Sequence, residues 1–308
     1  MDKTEGGVLA GIPENALKLN LTRSAIKMQH PRTWRVDKSN TVHDLIVCLS
    51  GSGSYVVDDS AYTLTPGDAM LIPAGSHFVG WHASGEAYTG VAQHFTLDVF
   101  GRHDLISQMR IERIVRFSRW PLLEPVIRYY HDIAPASSTT LLQHHLFMFI
   151  LIEFLEDAFI AWNTPPVGAV STADGISLSI MLAAARITAE PLDEDICERV
   201  VAEAPYNPEY FKREFRRQIG WTPRKFQEFK RMERAMNILA SGNTVSDTAA
   251  LVGYSDVYYF SRMFKRHIGT SPVGYKLAVK ESQNGRFPRG EEDGQVMYPL
   301  VERQEQTL

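Results

Sequence analysis

Residues 208–223, PEYFKREFRRQIGWTP, and residues 257–272, VYYFSRMFKRHIGTSP, are two versions of one segment. Tyr210/Tyr259, Phe211/Phe260, Arg213/Arg262, Phe215/Phe264, Arg217/Arg266, Ile219/Ile268, Gly220/Gly269 and Pro223/Pro272 are identical, 8 of 16 aligned positions, which chance does not supply. Phe211, Phe215 and Ile219 recur every four residues, as do Phe260, Phe264 and Ile268, the spacing of the buried stripe of a helix. Opposite them fall Glu209, Lys212, Arg213 and Arg216 in the first copy and Tyr258, Ser261, Arg262 and Lys265 in the second. Gly220 and Gly269 stand where a helix ends on a left-handed residue, and Pro223 and Pro272 follow shortly after. Each copy therefore predicts a basic amphipathic helix with a firm stop.

The residues before the second copy supply a partner for it. Ala249-Ala250-Leu251-Val252-Gly253-Tyr254-Ser255-Asp256 reads as a short helix ending at glycine, followed by two residues that cap the next helix. A small residue, Ala249, lets two helices cross closely; Gly253 makes the turn; the second helix then presents its polar face outward. This is the order of a helix-turn-helix, whose second helix enters a major groove. A solitary basic helix is usually a solvated surface, but two copies in matching context are not. Residues 224–240, free of Gly and Pro, predict a connecting helix of roughly 25 Å at 1.5 Å per residue. With the bodies of the two units added, the exposed helices come near one DNA turn apart, ~34 Å.

The stretch 192–275 resembles the DNA-binding domain of AraC/XylS-type transcriptional regulators. Ala249, Gly253-Tyr254-Ser255-Asp256, Tyr259-Phe260-Ser261-Arg262, Phe264-Lys265, Gly269 and Ser271-Pro272 stand in that family's signature order, and Arg231 and Ala235 fall where its linker helix carries Arg and Ala. The resemblance implies a sequence-specific DNA-binding regulator, a homodimer acting on double-stranded promoter or operator DNA, with RNA polymerase as a further partner. DNA contacts are expected from Glu209, Lys212, Arg213, Arg216, Arg217, Val257, Tyr258, Ser261, Arg262, Lys265 and Arg266. The cations attract phosphate, while Val257, Tyr258, Ser261 and Arg262 are placed to meet base edges. The first copy departs from the pattern: Val201, Pro205 and Asn207 replace a small residue, a turn glycine and a serine cap. Asn207 caps well and Pro208 suits a first helical turn; Val201 is bulkier and Pro205 locks φ near −65°, which is expected to tilt the first recognition helix.

Taken whole, the charge of the 308-residue chain, 32 Lys+Arg against 36 Asp+Glu, argues against a polyanion as partner. Divided, it argues the reverse. Residues 205–280 hold 14 Lys+Arg against 6 Asp+Glu, net +8, and leave 18 against 30, net −12, to everything else. Asymmetry of this size marks specialised parts.

From about Lys18 to Thr96 the chain predicts short strands, among them Leu45-Ile46-Val47-Cys48-Leu49, Ser54-Tyr55-Val56-Val57 and Ala69-Met70-Leu71-Ile72. Gly51-Ser52-Gly53, Asp58-Asp59, Pro66-Gly67-Asp68 and Pro73-Ala74-Gly75 punctuate them as turns. Such spacing suggests a small barrel or double-sheet jelly roll. Beyond about Phe100 the pattern turns helical: Phe147, Leu151, Phe154, Leu155, Ala158 and Trp162 keep an apolar rhythm, with Glu153, Glu156 and Asp157 on the other side. Leu146, Phe149, Ile150, Ile152 and Phe159 widen that stripe, so that the helix is expected to cover the barrel on one side and a partner subunit on the other. Trp162-Asn163-Thr164-Pro165-Pro166-Val167-Gly168 reads as a domain boundary.

The expected architecture is α+β with two domains: an N-terminal barrel with following helices and an all-α C-terminal domain of two helix-turn-helix units joined by a linker helix. Its boundaries are 1–165 (barrel about 18–100, helices about 103–162), a linker at 166–178, the DNA-binding domain at 179–280, and a flexible tail at 281–308. Within that domain the units fall at about 193–219 and 245–268, with the linker helix at about 223–240. Leu49-Ser50-Gly51-Ser52-Gly53, Tyr62 to Asp68 and Ile72 to His77 make the barrel similar to a cupin. In the family named above, this similarity implies a domain that senses a small-molecule effector and dimerises.

Trp34, His43, His77, Trp81 and His94 are the candidate effector pocket, aromatic walls with a few polar groups being usual ligand-site chemistry. The cupin resemblance also suggests a metal-dependent dioxygenase or isomerase. Catalytic cupins hold their metal through two His and a Glu in one motif plus a later His, and here Asp44-Leu45 follow His43 with no Glu to complete the set. The reading is therefore not an enzyme, with no metal and no cofactor; an effector-independent regulator whose barrel only dimerises is the other alternative. Cys48 and Cys197 form no CxxC pair and read as small buried residues in a reducing cytoplasm. The start Met1-Asp2-Lys3-Thr4-Glu5 lacks a secretory pattern, and the longest apolar block, Leu146 to Ile152, is far short of the ~20 residues that span a bilayer.

Overall fold

The alternation between Lys18 and Thr96 becomes antiparallel strands: β1 (Leu17–Leu21), β2 (Ile26–His30), β3 (Arg35–Ser39), β4 (His43–Ser50), β5 (Gly53–Val57), β6 (Ser60–Leu64), β7 (Asp68–Ile72), β8 (His77–His82) and β9 (Tyr88–Val99). Then come β10 (His103–Asp104), β11 (Met109–Ile111), β12 (Ile114–Arg116), α1 (Trp120–Ile133), α2 (Leu141–Ala158), β13 (Phe159–Trp162) and α3 (Ala173–Ala189). The remainder is helical: α4 (Ile196–Glu203), α5 (Pro208–Ile219), α6 (Pro223–Ala240), α7 (Val245–Leu251), α8 (Val257–Ile268) and α9 (Pro272–Gln283). The computed structural model describes residues 7–83, 85–136, 138–163 and 173–283. The chain divides into two units, Met1–Ala185 and Arg186–Leu308.

In the N-terminal unit one sheet runs β1-β9-β4-β7-β12, with β2 and β10 also paired to β9, and a second runs β3-β8-β5-β6. A core lies between the two sheets: Ile46 and Cys48 of β4, Met70 and Ile72 of β7, Tyr55 and Val57 of β5, and Phe78 of β8 share one apolar cluster. The alternate residues of β4, Leu45, Val47 and Leu49, belong to a different cluster with Leu123 and Ile127 of α1 and Phe147, Leu151 and Phe154 of α2. Strand β4 is thus buried on both faces, which is why its sequence is a continuous apolar run rather than an alternation.

Thr140 starts α2 with a capping box: its hydroxyl accepts the Gln143 N–H at 3.1 Å, and the Gln143 side chain accepts the Thr140 N–H at 3.3 Å. The three carboxylates expected on an outer face are all engaged. Glu153 is buried and accepts from Arg119 at 2.9 Å, Glu156 accepts the N–H groups of Val8 and Leu9 at 2.8 and 3.2 Å, and Asp157 accepts the Ser118 N–H at 2.9 Å.

Three details depart from the sequence reading. The apolar rhythm predicts a helix through Trp162, but α2 stops at Ala158, because Phe159–Trp162 pairs as a strand with Met109–Ile111. Residues 103–116 hold short strands instead of helix, β12 extending the first sheet beside β7. The expected linker at 166–178 falls partly outside the described residues, and its remainder, from Ala173, is already helix α3. The flexible tail expected over 281–308 lies outside the described residues from 284 onward.

Among the described residues no helix is long and apolar enough to cross a membrane, and no cluster of His, Cys, Asp and Glu fit to hold a metal occurs. Both cysteines are buried and free. Burial pushes the Cys48 thiol up to about 12 and the Cys197 thiol up to about 11, so both are protonated at neutral pH.

Candidate nucleic-acid interface

Helix α6 is the part that both helical pairs share. Near its start, Gln227 donates to the carbonyls of Pro191 and Asp193 at 3.1 and 2.5 Å, and Arg231 donates from Nε to the Pro191 carbonyl at 2.7 Å, tying the segment before α4 to the linker helix. Cys197 of α4 donates its thiol to Gln227 at 3.3 Å. Farther along, Met232, Ala235 and Leu239 share a buried cluster with Ala249 and Val252 and with Phe260, Phe264 and Ile268 of α8. Ala235 and Ala249 are wholly buried, the small residues that let the helices approach closely.

The two recognition helices are delimited alike. Asp256 accepts the N–H groups of Tyr258 and Tyr259 at 2.8 and 3.0 Å, and Asn207 those of Glu209 and Tyr210 at 3.0 and 3.3 Å. Each cap satisfies donors the helix cannot. At the other ends Gly269 and Gly220 adopt φ of 85° and 91°, the left-handed stop their positions predict. Val201 is buried in α4 and Pro205 is exposed in the turn, and α5 retains the same cap and stop as α8.

Of the stripe predicted from the repeat, Phe211 and Phe215 in α5 and Phe260, Phe264 and Ile268 in α8 are buried, while Ile219 is half-buried at the end of α5. Glu209, Lys212, Arg213, Arg216 and Arg217 are exposed on α5, and Tyr258, Arg262, Lys265 and Arg266 on α8, while Val257 and Ser261 are half-buried. Ser261 donates its hydroxyl to the Val257 carbonyl at 2.8 Å, so toward a base it has only lone pairs to offer.

The charges of the two faces differ in degree: on α5 only Arg216 pairs with no carboxylate among the described residues. On α5, Lys212 lies 3.0 Å from Glu209, Arg217 pairs with the buried Glu214, and Arg213 approaches that carboxylate to 3.9 Å while lying over the Tyr210 ring. On α8 no carboxylate among the described residues pairs with Arg262, Lys265 or Arg266, and Arg262 lies over the Tyr259 ring at 5.8 Å. Cations without an internal partner are the ones a phosphate chain can claim.

Residues 200–277 match a protein-family model described as a helix-turn-helix domain. The chain is 32% identical over 89 residues to the MmsAB operon regulatory protein of Pseudomonas aeruginosa, a match covering 29% of each chain. It is 23% identical over 269 residues to the HTH-type transcriptional activator RhaS of Klebsiella pneumoniae, covering 83% of this chain and 92% of that one. Among solved structures, ToxT from Vibrio cholerae O395 is 13% identical with a TM-score of 0.28, covering 86% of this chain and 99% of that one. The C-terminal unit is a tandem helix-turn-helix DNA-binding domain. Over residues 200–277 the chain is similar to the helix-turn-helix part of such regulators, the stretch whose sequence resembles the AraC/XylS type, and here it follows a β-rich unit.

In the N-terminal unit the five expected pocket residues are not brought together. Trp34 lies against the core between the sheets, but His77 and Trp81 are exposed on the outer face of β8, because Phe78 and Gly80 take its inward positions. The His77 imidazole pairs with Asp37 at 2.8 Å. His43 is buried on the helix-covered face of β4, where it accepts the Ala74 N–H at 3.0 Å and donates to Asp104 at 2.9 Å. His94 stands opposite Asp44 in the β4–β9 register and meets its carboxylate at 3.2 Å.

Side chains that composition did not single out do converge between the sheets. His30 stacks on Trp34 with ring centres 4.0 Å apart; the Tyr55 and Tyr88 rings are centred 5.9 and 5.8 Å from that of Trp34, and their hydroxyls join at 2.8 Å. His82 and Asp44 each keep one buried polar atom, Nε2 and Oδ1, without a hydrogen-bond partner among the described residues. A Cβ at position 80 would fall within 3 Å of the Tyr55 and Trp34 rings, so the glycine there makes room for them. Period-two alternation through Phe78, Gly80 and His82 is the sequence signal that points to this set.

Proposed function

We propose that the chain binds double-stranded promoter or operator DNA through α8 and α5 and regulates transcription under the control of a small molecule held between the sheets of the N-terminal unit. One observation carries the DNA reading: an exposed, capped helix, α8, whose three cations pair with no carboxylate among the described residues, inside the segment that matches the helix-turn-helix family. On this reading Lys212, Arg213, Arg216, Arg217, Lys265 and Arg266 approach phosphates, and Glu209, Val257, Tyr258, Ser261 and Arg262 approach bases. The protein works in the cytoplasm as a homodimer, with RNA polymerase as a further partner, and carries out no catalysis of its own.

The test of the DNA reading is salt dependence. Each phosphate contact that releases counterions contributes about 0.9 to the slope of log K against log salt, so Lys265→Gln is expected to lower that slope by roughly one and to weaken cognate and random duplexes alike. An unchanged slope removes Lys265 from the phosphate contacts.

For the effector, His30, Trp34, Tyr55, Tyr88 and His82 support a site of aromatic walls and few polar groups. A small molecule that binds there stabilises the folded state by about 1.4 kcal/mol at ten times its Kd, seen as a raised Tm of the N-terminal unit. Tyr88→Phe, which removes only a hydroxyl, is expected to shrink that rise; a rise equal in variant and parent places the molecule elsewhere.

A further inference from the structure

The outward stripe of α5 contains one acid. Glu209 takes the place in α5 that Tyr258 takes in α8, at the second position of the helix, exposed and in line with Lys212, Arg213 and Arg216. An acid in a first turn is favoured by the helix dipole, but that gain is available at positions facing away from DNA as well. On a face turned to phosphates a carboxylate lowers affinity for every sequence, unless it meets a donor. The floor of the major groove offers two, the exocyclic amines of cytosine and adenine. Adenine sets its N7 acceptor beside that amine, which repels the second carboxylate oxygen. Cytosine shows the amine without a neighbouring acceptor, whereas guanine and thymine present acceptors to a carboxylate.

We infer that Glu209 reads a cytosine in the half-site facing the first helix-turn-helix, its carboxylate accepting from the cytosine N4 amine. The inference rests on the DNA reading of α5 given above. Lys212 lies 3.0 Å from Oε1 of Glu209 and leaves Oε2 for the base. The N-terminal turn of a recognition helix is the part that reaches base edges, and the helix-turn-helix match, which includes residue 209, points to DNA as the ligand independently of this side chain. The acid therefore works chiefly by exclusion, refusing three bases at one position.

The experiment is selection by the full-length chain from a library of duplexes with a randomised centre, followed by competition among the four bases at each position of the recovered site. Wild type is expected to prefer cytosine at one position by roughly 5- to 150-fold, the range of a single base contact. Glu209→Gln is expected to move that preference to adenine, since an amide pairs with both N6 and N7. Glu209→Ala accepts all four bases there and binds random DNA more tightly than wild type. If all three proteins recover the same site with the same base preferences, Glu209 does not read a base and the inference falls while the DNA reading stands. If wild type enriches no sequence, the DNA reading itself fails and takes the inference with it.

Discussion

Replacing Phe264 by alanine is expected to destabilise the C-terminal unit by about 3–5 kcal/mol and to abolish retention of DNA. Phe264 is fully buried and lies between Phe260 and Tyr275, with ring centres 5.7 and 5.8 Å away. Its cluster includes Met232, Ala235 and Leu239 of the linker helix, Ala249 of the preceding helix and Val252 just past that helix's end, so one truncation loosens three helices at once. A helix of 12 residues such as α8 is marginal alone in water; packing of its apolar stripe is what keeps the reading face presented. Against a typical net stability of ~5–15 kcal/mol, the expected loss leaves little. Urea unfolding followed by far-ultraviolet dichroism, beside gel retardation with a cognate duplex, measures both effects. Phe215→Ala should do the same to α5, whose ring neighbours are Phe211 at 6.2 Å and Phe226 at 6.0 Å. A Phe264→Ala protein with the parent's unfolding midpoint contradicts the packing argument.

The same fact, that a helix is held by one stripe and reads with another, explains what the sequence disclosed. Phe260, Phe264, Ile268 and Gly269 repeat an earlier pattern at fixed spacing, and that pattern states both the buried face and the stop, so α5 and α8 were legible to the residue. The pairing state of their cations was not. Glu214 looks like an ordinary exposed member of a charged helix, yet it is buried and holds Arg217, a matter of tertiary packing that helical spacing does not determine.

The barrel was legible as strands but not as a pocket. Residue type points to histidine and tryptophan, whereas in a strand the face is set by position: on β8, His77 and Trp81 share the outward parity, while Phe78, Gly80 and His82 share the inward one. On β4 the apolar run hides the parity altogether, and only its register with β9 shows that Asp44 and His43 face different cores. Segments 159–162 and 173–178 misled for a related reason. An apolar rhythm does not distinguish a helix that continues from a strand that finds a partner, and breakers such as Pro165 and Pro166 mark a boundary in the sequence without stating where the next helix begins.

Arg262→Ala is expected to lose about 1–3 kcal/mol on the cognate site and almost nothing on random DNA, relaxing the choice of base at one position. Arg262 is exposed on the face of α8, one turn beyond Tyr258 and one turn before Arg266, free of any carboxylate among the described residues. Its guanidinium lies over the Tyr259 ring, a contact of roughly 0.5–1 kcal/mol at an exposed site that narrows the directions the side chain samples before DNA arrives. A guanidinium held this way offers two parallel donors, the match for guanine O6 and N7. Arg262→Lys separates charge from shape: it should keep affinity for random duplexes and lose most of the discrimination, because an ammonium has no fork. Arg213, the counterpart in α5, also lies over a tyrosine ring but has Glu214 at 3.9 Å, so Arg213→Ala is expected to lose less. Competition titrations with cognate, single-base-substituted and random duplexes, all at one salt concentration, give these differences directly. Equal losses for Arg262→Ala on cognate and random DNA would assign Arg262 to the phosphates and leave base reading in α8 to Tyr258 and Val257.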